Sequence, residues 1–429
     1  MASTYLTRTP SSSGNRKTFT FSFWINRKGV GSSTFIYNQY NASDNDNNSA
    51  LYIDGGDSLV FWDYTSPDYN MNLTTNRKFR DPSGWYHIVA SVDTTQATAS
   101  DRVKIYVNGV QETSFSGETY PSQNRDLFVN ENKAQQIGVF RFVSTNLNFF
   151  NGLMSHVHFI DGTAYDASAF GEYDANGVWK IILEPSVTYG TNGYFILKNG
   201  NSVTDQSGNS NNFTVAGGTL TNTEDSPSNV FCTMNALSKG SDISMSNGNT
   251  TVSNGGTNNS ILGTLAPGNG KYYWEAKCTS ASTFANVGVT LASIDGSNHS
   301  AVNAGRVVYE NSGNILREGL PGQGNTSTGI TFTTNDIIGV AFDTENGTLT
   351  FYKNGTLVNT TTDSDLLFSN NEYIPCSGLN SGGFSYNFGN GYFGTTAVAS
   401  AGTNASGNGI FEYDVPTGYT ALSTTGLNL

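Results

Sequence analysis

Apolar and polar positions alternate at period two along most of this chain, and almost nowhere at the helical period of 3.6. Residues 19–25 set the pattern: Phe19, Phe21, Phe23 and Ile25 alternate with Thr20, Ser22 and Trp24, which predicts a half-buried strand. Further short strand-forming runs fall at residues 34–37, 50–53, 58–62, 85–93, 103–111, 136–142 and 152–160. Three segments share one shape, a strand followed by Asn-Gly and a second strand, at Asn108-Gly109, Asn199-Gly200 and Asn354-Gly355. Asn-Gly suits the two positive-φ positions of a type I′ turn, so three hairpins are predicted. One helical turn is predicted over residues 166–172, capped by Asp166 or Ser168. The class that follows is all-β, as two-sheet antiparallel sandwiches, with function on the loops that join the strands.

Residues 217–259 break the alternation. They are rich in Ser, Asn and Gly and read first as a linker, although Val230, Phe231 and Met234 suggest that part of the stretch packs. A second strand-rich region starts at residues 271–277 and continues through 287–291, 305–309, 336–343, 347–353 and 384–388. Residues 409–422 carry alternating aromatics and are expected to return to a sheet. A length of 429 residues suits two such sandwiches. The expected domains are 1–217 and 218–429, the second including its polar lead-in and its return strand.

Composition narrows the function. Hydrophobic residues make up 36% of the chain, enough for a core, but only 13% are charged. Solubility therefore falls to Asn, Ser, Thr and the 48 Gly. Such a palette suits surfaces that bind through hydrogen bonds and ring contacts. The net charge is −13 and no basic run is present, which argues against nucleic acid and against an anionic membrane as partners. Cys232, Cys278 and Cys376 are odd in number and widely spaced. They read as small buried apolar residues of a chain folded in a reducing compartment rather than as a disulfide or zinc framework. No apolar stretch reaches membrane-spanning length, and the opening residues carry no signal-peptide core.

Candidate chemistry is sparse. A retaining glycosidase strand would set carboxylates in the pattern Glu-x-Asp-x-x-Glu. Glu172 and Asp174 begin that way, but Gly177 stands at the third position; Glu412 and Asp414 end at Thr417. Both read as polar turns, so no catalytic residues are assigned. His156 and His158 share one strand face by spacing, without a third metal ligand, and read as sheet-surface histidines. Sugar binding needs rings for the pyranose face and fixed polar groups for its hydroxyls. Asp57, Trp62, Tyr64, Tyr69 and Asn70 form one such candidate set, with core or inter-subunit packing as the competing role of each ring.

Two families become recognisable on these residues. Residues 19–24, 84–90, 103–109 and 150–154, in that order and spacing, resemble the laminin-G/pentraxin-like group of the concanavalin A-type jelly rolls, over residues 15–185. Residues 270–275, 287–289, 336–343, 347–355 and 387–389 resemble the SPRY (B30.2) sandwich. The opening at 5–17 and the ending at 412–422 resemble virion surface proteins of tailed phages of aquatic bacteria: tail appendages, fibres or capsid knobs. The first resemblance implies a calcium site at a loop edge, for which Asp44, Asp46, Asp54 and Asp57 supply hard oxygens. Acidic turns bonding their own backbone are the competing reading. The second implies recognition by loops at one end of the sandwich, with Asn298, His299, Arg317 and Gln323 as the candidate residues.

The expected function is that of a non-enzymatic phage virion surface protein that adheres to host cell-surface glycans. It is made in the bacterial cytoplasm and displayed on the virion as a homo-oligomer, with a trimer implied by the fibre analogy. The alternative is a capsid decoration or tail-assembly protein that packs on other virion proteins. A polysaccharide-degrading enzyme is a more distant third.

Overall fold

The computed structural model describes residues 4–41, 47–142, 145–198, 200, 202–281, 284–298, 305–320 and 324–428. The chain forms two compact units, Met1–Asn222 and Thr223–Leu429. Both are antiparallel sandwiches, and the helical content of the described residues is a few 3₁₀ turns. One of these, Ala167–Ala169, is the predicted helical turn, with the Asp166 side chain accepting from the Ser168 amide.

In the first unit an eight-stranded sheet faces a six-stranded one. The larger runs Phe115–Thr119, Asp68–Lys78, Ser58–Thr65, Asn47–Ile53, Thr34–Tyr40, Gln135–Ile137, Leu6–Arg8, Thr214–Val215. The smaller runs Tyr194–Ile196, Gly152–Asp161, Thr18–Arg27, Tyr86–Asp93, Val103–Val107, Val110–Gln111. Phe21 on the smaller sheet meets Tyr37 (4.5 Å between ring centroids) and Phe61 (6.4 Å) on the larger. The alternating face Phe19, Phe21, Phe23, Ile25 is thus the core face. Thr20, Ser22 and Trp24 were expected on a wetter face, yet they are buried too. Residues 162–190 lie over them: Thr20 Oγ donates to the Thr163 carbonyl and accepts from the Tyr165 amide.

In the second unit a seven-stranded sheet begins with Met234–Lys239 and Asn259–Gly263, then continues through Tyr373–Asn380, Phe284–Leu291, Arg306–Glu310, Asn314–Glu318 and Gly324–Ser327. It faces the sheet Ile243–Ser246, Thr251–Asn254, Gly383–Asn387, Lys271–Ser280, Ile337–Asp343, Thr348–Lys353, Thr356–Thr362. Thr420–Ala421 pairs parallel with Lys271–Ser280. Tyr309–Phe351 (5.8 Å) and Phe342–Tyr373 (5.9 Å) join the two layers. The linker expectation for residues 217–259 therefore fails over its second half, which supplies strands to both sheets of this unit. Met234, Ile243 and Val252 are the inward anchors that hold them.

Two of the three predicted hairpins form. Asn108 and Gly109 have φ of 48° and 81°, and Asn354 and Gly355 have 49° and 78°, as a type I′ turn requires. Each Asn also ties its turn to the strand before it: the Asn108 side chain accepts from the His87 amide, and that of Asn354 from the Ile337 amide, both at 2.8 Å. At the third site Tyr194–Ile196 is a strand and the Leu197 amide donates across the turn to the Ser202 carbonyl (2.9 Å); Asn199 lies outside the described residues.

Both turn glycines also meet an aromatic ring from further along the chain. A Cβ on Gly109 would fall 2.5 Å from the Trp179 ring, and one on Gly355 would fall 2.7 Å from that of Tyr413. Gly109→Ala therefore combines a left-handed backbone with overpacking. It should cost about 2 kcal/mol or more, read as a lowered denaturation midpoint of the full chain.

Candidate binding site

The strongest concentration of rings and amides lies on the strands Ser58–Thr65 and Asp68–Lys78 in the first unit. Alternation sends Leu59 and Phe61 into the core and leaves Trp62 and Tyr64 on the opposite face. Tyr69 pairs with Tyr64 across the register, is 53% exposed, and sits edge-on to both, 5.9 Å from Trp62 and 5.2 Å from Tyr64. The Asn70 amide nitrogen donates to Asp63 Oδ1 (2.8 Å) and Thr65 Oγ (3.0 Å), which share by alternation the face of Leu59 and Phe61. Asn70, grouped with the rings from sequence, is thus turned to the other side of the sheet from Trp62 and Tyr64. Asp63 is fully enclosed. Burial raises its carboxyl against the hydrogen bonds of Ser49, Asn70 and the Phe128 amide, so it is a scaffold group rather than a ligand.

The same sheet face continues inward. Asn38, Ala50, Trp62 and Asn72 form one row across four strands, and the next row pairs Phe35 with Tyr52, stacked at 4.3 Å. The structure thus brings together Trp62, Tyr64 and Tyr69.

Asp57 does not join them. It is buried, with φ of 67°. Its Oδ1 accepts from Arg27 Nη1 (2.6 Å) and the Gly31 amide (2.8 Å), and its Oδ2 from Arg80 Nε (2.9 Å). Burial opposes ionisation, but the Gly31 amide, Arg80 and Arg27 outweigh it and hold the carboxyl down at about 2. Two guanidinium groups occupy the oxygens expected for a sugar hydroxyl or calcium, so Asp57 is an internal anchor. Asp54 Oδ1 accepts from the amides of Gly56 and Ser58, a turn bonding its own backbone. Asp44 and Asp46 lie outside the described residues. Among those residues no three His, Cys, Asp or Glu side chains gather as a metal cage.

The second-unit loop candidates are likewise divided. Arg317 is paired with Asp363 and with Asp365 (2.9 Å), which holds the 3₁₀ turn Ser364–Leu366. Asn298 is exposed and its amide closes a turn on the Asp295 carbonyl. His299 and Gln323 lie outside the described residues.

The histidines of the first unit occupy a buried layer instead of a sheet surface. His87 stacks on Trp24 (4.7 Å) and bonds Ser22 Oγ through Nε2. Its Nδ1 accepts from Trp179 Nε1 (3.0 Å), so the neutral ring carries its proton on Nε2. A bulge lies between Ser155 and His158, yet the rings of His156 and His158 stay 6.5 Å apart and both pack on Phe195. His158 bonds the Tyr189 hydroxyl (2.9 Å) and stacks on Phe195 (4.0 Å). Burial lowers all three: His87 to about 3, His156 to about 4 and His158 well below its ordinary value.

Sequence reasoning missed Trp179. Its indole lies against Gly109 and Gly171 and forms, with Tyr106, Tyr173, Glu172 and Ile182, the wall of a depression of about 410 Å³. Its partners are distant in the chain, so no local pattern marks it. Glu275 was also missed. A lone carboxylate inside the run Tyr272, Tyr273, Trp274, Glu275, Ala276 was the available signal.

Residues 2–168 match the family model described as the concanavalin A-like lectin/glucanases superfamily. Residues 271–390 match the model of the SPRY domain. The chain carries a concanavalin A-like domain followed by a SPRY domain. Among solved structures, the SPRY domain of human HERC1 is similar at 19% identity, covering 36% of this chain and 96% of that one, with a TM-score of 0.30. Stonustoxin is similar at 18% identity, covering 36% of this chain and 27% of that one, with a TM-score of 0.30. The native heptameric SAP-like pentraxin from Limulus polyphemus is similar at 14% identity, covering 38% of this chain and 72% of that one, with a TM-score of 0.29. No curated protein sequence matches the chain. Both domains are of types built for binding carbohydrate or protein.

Proposed function

We propose that the chain is a non-enzymatic binding protein displayed on the virion of a tailed phage, where it adheres to host cell-surface glycans. The contact is made by the concanavalin A-like domain through Trp62, Tyr64 and Tyr69. The observation that carries this reading is the ring set of Trp62, Tyr64 and the exposed Tyr69 on the face of the strands turned away from the core. Rings accept the C–H face of a pyranose. A face built on paired strands loses little ordering entropy on contact. Weak single sites gain avidity from repeated copies. The virion setting is supported by the resemblance of the opening and closing segments to phage surface proteins, and by a surface that relies on neutral polar residues.

Trp62→Ala and Tyr69→Ala in the full chain should each weaken glycan binding about tenfold, since a stacking contact contributes on the order of 1 kcal/mol. A glycan array with wild-type and variant protein checks this. Equal binding by all three, or none by the wild type as a multimer, removes the reading. A structural role on the virion is the second reading, supported by the same neutral surface. Imaging the protein on the particle separates a distal tip from a lattice on the shell.

A further inference from the structure

The edge strand Thr356–Thr362 ends the larger sheet of the SPRY domain. Its neighbour on one side is Thr348–Lys353, and no strand among the described residues covers the other. Edge strands are normally blunted by charge, proline, brevity or a covering segment, because their unpaired backbone groups are templates for another strand. This one has seven residues, Thr356, Leu357, Val358, Asn359, Thr360, Thr361 and Thr362, none charged and none proline. Leu357 is 56% exposed. A bulge opposite Phe351 and Tyr352 is its one protective device. The other described edges are shorter or interrupted: Val110–Gln111 and Thr214–Val215 have two residues each, Tyr194–Ile196 has three, Phe115–Thr119 carries a bulge and Glu118, and Met234–Lys239 carries a bulge and a lysine.

Charge selects the occupant. The chain carries −13 overall, so two copies repel unless they meet where the charge is locally balanced. The acids flanking this strand are neutralised within their own copy: Asp363 and Asp365 by Arg317, and Asp336 by Lys353 at 3.2 Å. We propose that Thr356–Thr362 pairs antiparallel with the same strand of a second copy, across a two-fold axis. In a register centred on Asn359, Thr356 opposes Thr362, Leu357 opposes Thr361 and Val358 opposes Thr360, so no like charges face each other. The contact is isologous and consumes both edges, which makes it self-limiting at two copies. This is independent of the glycan site, which lies in the other unit, and it predicts a two-fold step rather than the trimer of the fibre analogy.

Sedimentation of the full chain over a concentration series tests it. Wild type should move from 45.9 kDa towards twice that mass by ~100 µM, as expected of a small interface. Leu357→Lys with Thr360→Lys places charges on exposed edge positions and should weaken association about tenfold or more. A control, Asn325→Lys with Thr326→Lys on the exposed strand Gly324–Ser327, makes the same change in net charge and should associate as wild type does. A wild type that stays at the single-chain mass overturns the proposal. So does a dimer that survives the edge lysines, or one lost equally in the control.

Discussion

Acidification from pH 6.5 to 5 should destabilise the concanavalin A-like domain by about 3 kcal/mol from His87 and His156 alone, with His158 adding in the same direction. Both rings are held neutral by burial, His87 at about 3 and His156 at about 4 against an ordinary 6.5. The unfolded chain takes up the protons that the folded one refuses. The stabilisation is therefore complete above pH 6.5 and is lost as pH falls towards the folded values. For a domain whose total stability is ~5–15 kcal/mol, that is enough to shift its unfolding ahead of everything else. The SPRY domain should move the other way. Burial raises Glu275 to about 7 from an ordinary 4.5, so its contribution is complete below 4.5 and lost as pH rises through about 7. Urea titrations at a series of pH values, followed by tryptophan fluorescence, should resolve two transitions that separate in acid. His87→Gln should flatten the pH dependence of the first. Two transitions that shift together between pH 7.5 and 5 contradict the account.

Glu275→Ala should be the most damaging single substitution in the second unit, at about 3–5 kcal/mol. The carboxylate is fully enclosed. Its Oε1 accepts from the Tyr413 amide (2.9 Å) and the Tyr273 hydroxyl (3.2 Å), and its Oε2 from the Glu412 amide (2.9 Å) and Asn387 Nδ2 (3.3 Å). Alanine would strand four donors and free the segment around Tyr413 from the sheet. Glu275→Gln keeps the volume and stands in for the protonated acid that burial favours, so it should cost much less than alanine. Chemical denaturation gives the magnitude, and hydrogen exchange at the Glu412 and Tyr413 amides gives the locality. Wild-type protection of those two amides in Glu275→Ala is the result that would falsify the tether.

The fold was legible where local chemistry acts alone. The Asn108-Gly109 and Asn354-Gly355 turns and the strand Thr18–Arg27 follow from residue type and alternation. The strand Asp68–Lys78 escaped because its inward set, Met71, Leu73 and Thr75, is sparse among polar neighbours, although the period of two is there. Strands within 234–263 escaped for the same reason: Met234, Ile243 and Val252 are single anchors among Ser, Asn and Gly. At the candidate site, Trp62, Tyr64 and Tyr69 could be grouped from sequence because one hairpin carries them all, whereas a register shift at Asn70 turns that side chain to Asp63 and Thr65 on the other face. The role of Asp57 could not, because it depends on Arg27 and Arg80 arriving from other strands. The same holds for His87, whose partner Trp179 lies 92 residues downstream.

The Glu275 tether also bears on synthesis. Two of its four donors lie 137 and 138 residues downstream. While the ribosome is still making the intervening chain, that carboxylate has only water to replace them, and the sheet around it is not yet dry. The second sandwich can therefore close only after Glu412 and Tyr413 have been made, and a nascent chain stalled before Glu412 would hold an open, hydrated sheet where the folded domain has a sealed one.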